Sequence, residues 1–460
     1  MNKKLVLSTC LSAFFFFNVT TSINAQLGKL KNAAKSKIEK NEKTTSTPQS
    51  EKKETPASSE KPVSQGEIIY VSIEHGNNRN EGTKEAPMKN IDKAIDKATA
   101  GDKIYVAAGT YSGTFDVCAF AIDKPLSLYG SFSNDFSTRD ITRHTTIIQA
   151  TPESHKTEHQ FFKIERKAEG PVVIDGFLMD MGEQQEYGND KPEGILSGYM
   201  QLTNQGGTPQ RMGVYIMGND RKNSNNIFVN MSKGGIGIMQ NNKADGKIEI
   251  LNNVFVACAM SGIECAALPG SPKDIEVHHN TIVFTFGDNF VNETGGEGIQ
   301  TREDANFNYH HNLIAYSSGP GIRHWNKVNK AKIDNNLFWG NRKNALSTKL
   351  PNGKLLYLSP DQFEDVDHLE SASGNISKEP GLPVDPSYLD NFLNMAAEIM
   401  TEYNPDSEMN QIREVLGQNK QATSTIDVQF FANKYPHLET LKLFGAVDGY
   451  GAKKPTLEIK

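Results

Sequence analysis

Between Met212 and Asn341, apolar and polar residues alternate in short runs. Runs such as GVYIM, GIGIM, IEILNN and IEVHHN place an apolar side chain at every second position. An amphipathic helix would instead need apolar residues three and four positions apart. The pattern therefore predicts short strands, and because such runs recur through most of the chain we expect an all-β fold.

These strands belong to a repeat that begins with a glycine and closes with an asparagine. The glycines are Gly213, Gly235, Gly262, Gly298 and Gly321, and the asparagines are Asn226, Asn253, Asn280, Asn312 and Asn336. The step from an Asn to the next Gly is nine residues in three cases and eighteen in the fourth, after Asn280. An insertion at one fixed point of a repeat is typical of a solenoid whose loops lie on one edge. We predict a right-handed parallel β-helix with stacked, hydrogen-bonded Asn side chains at a tight corner. A leucine-rich or propeller array is the alternative.

The first 66 residues differ from the repeat. Residues 1–25 have the features of a signal peptide, because Lys3 and Lys4 precede the apolar run LVLSTCLSAFFFF and Ala25 suits cleavage. The apolar run is too short for a membrane span. Residues 26–66 are rich in Lys, Glu, Ser, Thr and Pro, which predicts a disordered linker. We therefore expect a protein that is secreted, periplasmic or held at the cell surface, with no membrane span.

The rest of the chain divides into a solenoid, residues 67–345, and a C-terminal capping region, residues 346–460. Ile91, Ala94, Ile95 and Ala98 form one apolar helix face, which is expected to cap the first coil. In the C-terminal region, helices are predicted over about 386–403 and 409–416, and strands near 426–431 and 441–446. This region should therefore be a mixed α/β flank of the solenoid.

Composition excludes some partners. A formal net charge of -6 on 460 residues, without a concentrated basic face, argues against nucleic-acid binding. Cys118, Cys258 and Cys265 remain after signal removal, and three cysteines are too few for a disulfide framework. Cys265 falls at an inward strand position and is expected to be a core residue. We expect a monomer.

The start of the ordered region resembles a known superfamily. The segments YVS, NEGTKEAP, the amphipathic helix and GDKIYVAAGTYSG together resemble the opening of secreted bacterial β-helix proteins of the pectin-lyase-like superfamily. This resemblance implies the β-helix fold and leaves function open.

Strand alternation predicts which side chains of the repeat face outward. If the first apolar residue after each Gly points inward, the next residue points outward. One outward column then contains Tyr215, Glu264, Gln300 and Arg323, and a second contains Arg302 and Trp325. Two insertions, 179–212 and 284–297, enter these strands from the same side and should wall them into a groove. Arginine pairs with carboxylate or sulfate and Trp stacks on a sugar ring, so the groove suits an acidic, uronate-containing polysaccharide. A solvated face with incidental charges is the alternative.

The same coils resemble a family of enzymes. The segment GGEGIQTREDANFNYHHNLIAYSSGPGIRHWNKVNKAKIDNNLFWGN is similar to the catalytic coils of the alginate lyase and chondroitinase B family. The resemblance implies that Glu297 is a calcium ligand, that Arg302 is at the position of the base, that Arg323 is the proton donor and that His324 accompanies it. This sequence departs from the family at three positions: Gly295 replaces a second Glu ligand, Arg302 replaces a Lys and Trp325 replaces a Gly. Glu264 or Glu293 could complete the coordination of Ca²⁺, which takes six to eight oxygens.

Two hypotheses about function follow. The first is a polysaccharide lyase that cleaves uronate polymers by β-elimination, in which a cation neutralises the uronate carboxylate and a base removes the adjacent proton. The second is a non-catalytic glycan-binding or surface-presented β-helix protein. Two histidine pairs, His278-His279 and His310-His311, occupy matching places in adjacent coils. They invite a metal site, but we favour stacked imidazoles beside the Asn column as the simpler interpretation.

Overall fold

The computed structural model describes residues 66–113, 118–149, 151, 160–181, 212–231, 234–240, 246–267, 274–287, 295–301, 305–325, 331–350, 352–396, 405–406, 408–420, 435–457 and 459. The chain divides after Val63 into two units, and all of the described residues belong to the second unit, Ser64–Lys460. The predicted signal peptide and the linker up to residue 65 lie outside the described residues.

The strands of the second unit form three sheets. Sheet A contains, in spatial order, β1 (Ile68–Val71), β2 (Lys103–Ala107), β5 (Ser127–Phe132), β8 (Val172–Asp175), β11 (Arg221–Ser224), β14 (Lys247–Leu251), β17 (Asp274–His278), β20 (Asn306–His310), β23 (Ala331–Asp334) and β27 (Leu369–Ser371). Sheet B contains β3 (Gly109–Tyr111), β6 (Thr146–Gln149), β9 (Phe177–Asp180), β12 (Ile227–Val229), β15 (Val254–Val256), β18 (Thr281–Val283), β21 (Leu313–Ala315), β24 (Leu337–Trp339) and β28 (Ile376–Ser377). Sheet C contains β4 (Cys118–Ile122), β7 (Gln160–Ile164), β10 (Met212–Ile216), β13 (Gly234–Gln240), β16 (Ser261–Ala267), β19 (Glu297–Thr301), β22 (Ile322–His324), β25 (Leu346–Lys349) and β26 (Leu355–Leu358).

Each coil of the central repeat contributes one strand to each sheet, so strands separated by a whole coil become neighbours. Their pairing is parallel, for example β14 with β17 and β16 with β19, whereas β25 and β26 pair antiparallel at the end of sheet C. Three parallel sheets wound by one chain define a right-handed parallel β-helix, which confirms the predicted fold.

The helices lie before and after the coils. Helix α1 (Ile91–Lys97) buries Ile91, Ala94 and Ile95 in the main core, as the sequence predicts for the capping helix. Helices α2 (Pro386–Ala396) and α3 (Glu408–Val415) follow the last coil, and 3-10 helices span Pro360–Asp365 and His437–Leu443. None of the helices in the described ranges is long and apolar enough to cross a membrane.

The repeated glycines are explained by close packing against sheet B. A Cβ atom on Gly235 would lie 2.3 Å from Cδ1 of Phe255, and one on Gly298 would lie 2.4 Å from Cγ2 of Ile314. Both distances are shorter than any ordinary carbon contact. A side chain at these positions would therefore collide with the core, which accounts for one glycine in every coil.

The repeated asparagines form the predicted ladder. The backbone N–H of Asn253 donates to Oδ1 of Asn280 at 3.0 Å, and the N–H of Asn280 donates to Oδ1 of Asn312 at 3.0 Å. The side-chain amide of Asn280 also donates to the carbonyl of Ile250 at 2.9 Å. The ladder satisfies backbone groups at a buried corner and continues to Asn375, a position that the repeat did not reveal.

The coils continue beyond the predicted boundary at residue 345. Strands β25, β27 and β28 extend all three sheets as far as Ser377. The chain after them packs on the outer face of sheet B, where Tyr388, Phe392 and Leu443 join Val229, Val256 and Val283 in a second apolar cluster. The C-terminal region therefore covers one side of the solenoid.

The expected strand near 441–446 is wrong. A 3-10 helix covers His437–Leu443 and buries Thr440 and Leu443, three residues apart, as a helix of three residues per turn requires. Pro436 precedes it with φ -62°, which suits a helix start. The strand predicted near 426–431 and the end of the helix predicted to 403 lie outside the described residues.

Candidate functional site

The outward column predicted on sheet C is present in the strand register. Tyr215 pairs with Lys163 on one side and Gly237 on the other. Gly237 pairs with Glu264, Glu264 with Gln300, and Gln300 with Arg323. We call Tyr215, Glu264, Gln300, Arg323 and the adjacent Trp325 the sheet C row. With neighbouring strands about 4.8 Å apart, the four steps from Tyr215 to Arg323 span about 19 Å.

Gly237 interrupts this row between Tyr215 and Glu264. A Cβ atom there would lie 2.0 Å from the sulfur of Met212, so the Met212 side chain occupies the place of the missing one. Met212 is itself buried. The row therefore has an apolar floor between Tyr215 and the polar groups that follow.

The middle of the row is more deeply covered than an exposed column would be. Glu264 is 8% exposed, Gln300 is 2% exposed and Arg323 is 5% exposed, whereas Tyr215 and Trp325 are only half-buried. The side chains thus point outward as predicted, although the middle of the row is nearly inaccessible to solvent. Direct access from solvent is greatest at the two aromatic residues.

Arg323 is held between an anion and an aromatic ring. Its Nη1 lies 2.8 Å from Oε1 of Glu297, in an ion pair whose geometry departs from that of a hydrogen bond. Its guanidinium carbon lies 4.4 Å from the centre of the Trp325 ring, and Nε1 of Trp325 donates to Oγ of Ser347 at 3.1 Å. These contacts fix the position and orientation of the cation.

Glu297 is fully buried, and its carboxylate has neutral donors as well as Arg323. The backbone N–H of Gly295 donates to Oε1 at 3.2 Å, and Nε2 of Gln300 donates to Oε2 at 3.4 Å. The carboxylate that the enzyme resemblance assigns to calcium is thus already neutralised by a guanidinium. The metal-ligating clusters in the described part of the chain include neither Glu264 nor Glu297. Arg323 would therefore compete with a calcium ion for this carboxylate, and calcium coordination by Glu297 with Glu264 or Glu293 stays a prediction.

His324 lies on the other side of its strand from Arg323. It is fully buried, its ring centre lies 5.9 Å from that of His368, and burial lowers its pKa to about 4. Its register partners include Thr301, which pairs in turn with Cys265, so these side chains share one inward column. The placement of His324 beside Arg323 at the site is therefore corrected, because successive side chains of a strand point to opposite faces. The core position of Cys265 is confirmed.

Tyr215 is expected to remain protonated at neutral pH. Burial raises the pKa of its phenol, the nearby charge of Glu264 raises it further, and Arg166 acts in the opposite direction. Tyr215 can therefore donate a hydrogen bond to a ligand oxygen.

The Glu297–Arg323 pair and the contact of Trp325 with Ser347 were not expected from the sequence, because each depends on side-chain direction in two coils.

Arg302 and Glu293 lie outside the described residues, as do most of the two insertions that were expected to wall the groove. Their predicted roles as base and calcium ligand stay predictions. The structure thus brings together Tyr215, Glu264, Gln300, Arg323 and Trp325 and separates His324 from them.

Fold and site define a parallel β-helix protein with a polar and aromatic row along one sheet. A model of the family described as "Periplasmic copper-binding protein (NosD)" matches residues 178–354. The uncharacterized protein YwoF of Bacillus subtilis (strain 168) is 38% identical over 71 residues, which are 15% of each chain. The chain therefore spans only a small part of that relative.

Two solved structures are similar to this chain at low sequence identity. A rhamnogalacturonan lyase is 13% identical, with a TM-score of 0.36, over 63% of this chain and 78% of its own. The pectate lyase Pel9A is 12% identical, with a TM-score of 0.31, over 80% of this chain and 90% of its own.

Proposed function

We propose that this is an exported carbohydrate-binding protein that takes an acidic polysaccharide along the sheet C row. The observation that carries the proposal is the strand register, which aligns Tyr215, Glu264, Gln300 and Arg323 in one column and sets Trp325 against Arg323. Residues far apart in sequence thus supply a cation, amide and phenol donors and an aromatic face. These are the groups that a uronate chain requires.

The two aromatic residues would make the first contacts, because they are the most accessible members of the row. A sugar ring stacks on the exposed part of Trp325, and its carboxylate then reaches the guanidinium that the same ring supports. The ligand carboxylate competes with Glu297 for Arg323. Binding should therefore be weaker for neutral glycans and should decrease with salt.

Polysaccharide lyase activity is a second candidate. It is favoured by one observation, the deep burial of Arg323, because a cation in a site of low dielectric strongly stabilises the enolate-like charge formed during β-elimination. Arg302 is the base that this hypothesis needs, and Glu264 or Glu293 with Ca²⁺ could assist it. Of the residues implied by the enzyme resemblance, His324 does not take part.

Both candidates can be tested with one preparation. Mature protein starting at Gln26 is incubated with polygalacturonate, alginate and a glycosaminoglycan, with calcium or with a chelator. Binding is followed by affinity electrophoresis, and β-elimination by the ultraviolet absorbance of unsaturated uronate. Retention without new absorbance supports the binding protein, and absorbance that is lost in Arg302→Ala supports the lyase.

Matched variants locate the surface. Trp325→Ala and Tyr215→Phe should weaken retention on acidic glycans. Tyr70→Phe removes a hydroxyl from a half-buried tyrosine of sheet A and should have no effect. Equal retention of all variants, or equal retention of neutral glycans, would remove the sheet C row as the binding surface.

A further inference from the structure

Four histidines form a compact array at the corner that follows sheet A. His278 ends β17 and His310 ends β20, and each is followed by a second histidine in the left-handed conformation, with φ 53° at His279 and 55° at His311. The rings of His278 and His310 stack with centres 4.7 Å apart, and those of His279 and His311 with centres 4.9 Å apart. The predicted stacking is thus confirmed. We call these four residues the histidine corner.

Within each coil, the two imidazoles face each other through the same ring atom. Nδ1 of His278 lies 2.9 Å from Nδ1 of His279, and Nδ1 of His310 lies 2.9 Å from Nδ1 of His311. Two nitrogens bound to one metal ion at about 2.05 Å and at right angles would be about 2.9 Å apart. One ligand atom from each of His278, His279 and His310 lies within 4.8 Å of the other two. The spacing therefore suits shared coordination.

The outer nitrogens of this array face carboxylates. Nε2 of His310 lies 3.1 Å from Oε1 of Glu276, and Nε2 of His278 lies 3.5 Å from Oε1 of Glu249. A carboxylate that accepts from Nε2–H leaves the lone pair on Nδ1, and metal-binding histidines usually have such a partner. Glu276 thus favours the tautomer of His310 that a metal ion at Nδ1 requires, whereas Nε2 of His278 lies near Glu249 without forming a hydrogen bond.

The histidine corner can be reached by an ion. The side chains of His278 and His310 are 15% and 21% exposed. The charged groups around it are largely paired, because Glu249 pairs with Lys222 and Glu276 pairs with Lys247, and Lys453 lies near His279 and His311.

We propose that the histidine corner binds a late first-row divalent transition-metal ion, through ligands drawn from His278, His279, His310 and His311. Imidazole ligands select copper, nickel and zinc over calcium and magnesium. The expected order of affinity places Cu²⁺ above Ni²⁺ and Zn²⁺. This site lies on a different sheet from the sheet C row and does not depend on glycan binding.

A hydrogen bond between two neutral imidazoles would give the same 2.9 Å separation, so the test must distinguish the two. The repeat offers well-matched variants. His279 and His311 occupy a corner column in which the neighbouring coils have Asn252, with φ 55°, and Asn335, with φ 53°. The double variant His279→Asn/His311→Asn places the repeat's own corner residue in a conformation that asparagine adopts readily, and should fold.

The experiment uses mature protein without an affinity tag, titrated with Cu²⁺, Ni²⁺ and Zn²⁺ by calorimetry. Cu²⁺ loading is also followed by electron paramagnetic resonance, in which imidazole nitrogens give hyperfine splitting. Wild type should bind the ions with defined stoichiometry, and His279→Asn/His311→Asn should lose this binding. Glu276→Gln should weaken it by about 10- to 100-fold. His75→Gln changes an exposed histidine elsewhere and should bind as wild type does.

Each outcome decides the proposal. Loss of binding in the double variant with retained circular dichroism, together with nitrogen splitting in wild type, supports it. Absence of binding to wild type would leave the imidazole hydrogen bonds as the reason for the array and would overturn the proposal. Binding that persists unchanged in the double variant would overturn it too.

Discussion

The ion pair between Arg323 and Glu297 makes a strong prediction about stability. Arg323→Met removes a guanidinium that lies 2.8 Å from a carboxylate that is 0% exposed. Removing one partner of a buried ion pair costs about 3–5 kcal/mol. The pair departs from hydrogen-bond geometry, and Glu297 keeps its hydrogen bonds from the amides of Gly295 and Gln300. We therefore expect the free energy of unfolding to fall by about 3 kcal/mol, the lower end of this range.

Substitution of Glu297 alone, and of Glu297 together with Arg323, separates the contribution of the ion pair from that of its surroundings. Glu297→Gln leaves Arg323 stacked on Trp325, a contact worth about 2 kcal/mol when desolvated, so its cost should be smaller, about 1–2 kcal/mol. The double variant Glu297→Gln/Arg323→Met removes both charges of the pair and should lie within about 1 kcal/mol of wild type in the free energy of unfolding. The effects of the two single substitutions on the free energy of unfolding should therefore be strongly non-additive.

The assay is urea unfolding followed by circular dichroism, with the free energy compared only where the slope is unchanged. Lys332→Met and Glu370→Gln provide the control, because that pair is 3.4 Å apart with side chains 45% and 42% exposed, and should contribute less than about 1 kcal/mol. A cost below about 1 kcal/mol for Arg323→Met, or a double variant as unstable as Arg323→Met, would refute this account of the pair.

Three further predictions concern the coils. Asn280→Ala removes the acceptor of the buried Asn253 N–H and the donor to the carbonyls of Ile250 and His278, and should lower the free energy of unfolding in urea by about 2–4 kcal/mol. Outward-facing Asn308→Ala should lower it by under about 0.5 kcal/mol, and equal losses would contradict the ladder. Gly235→Ala forces a Cβ atom against Phe255 and should lower the free energy of unfolding by about 1–3 kcal/mol. An unchanged free energy of unfolding would mean that the coil can widen to accept the methyl group. Burial lowers the pKa of His324 from 6.5 to about 4 in the folded protein. As pH falls below 6.5, His324 therefore takes up a proton in the unfolded chain before it does so in the folded protein. The free energy of unfolding should decrease by up to about 3 kcal/mol between pH 6.5 and pH 4. His324→Leu should lose this part of the pH dependence, and an unchanged profile would exclude His324 as its source.

The sequence was sufficient for the coils because their geometry repeats. Once Gly235 and Asn253 define one coil, parallel strands leave little freedom in the pairing, and Gly237, Glu264 and Gln300 had to align. The last coil was missed because 39 residues separate Asn336 from Asn375, with a hairpin and a 3-10 helix between them. A long insertion hides the repeat even though the ladder bond is unchanged at 3.0 Å.

The site was less predictable, for two different reasons. Alternation gives the direction of a side chain and not what covers it, so Gln300 points outward as expected and is still only 2% exposed. His324 is different, because the alternation that placed Arg323 outward also placed His324 inward. The resemblance to a lyase family assigned it to the site against that rule, and the strand geometry decided the matter.

The outer faces of the three sheets limit where any ligand can bind. The outer face of sheet B is apolar, and the C-terminal region covers it through residues such as Phe392 and Leu443. The outer face of sheet A carries ion pairs such as Lys222 with Glu249, in which the two charges neutralise each other. The histidine corner lies at the ends of the strands of this sheet. Among the described residues, sheet C places the buried cation of Arg323 beside the half-buried ring of Trp325, with Tyr215 in the same row. A glycan and a metal ion would therefore use separate surfaces, and variants at Trp325 should leave metal binding intact while variants at His279 leave glycan binding intact.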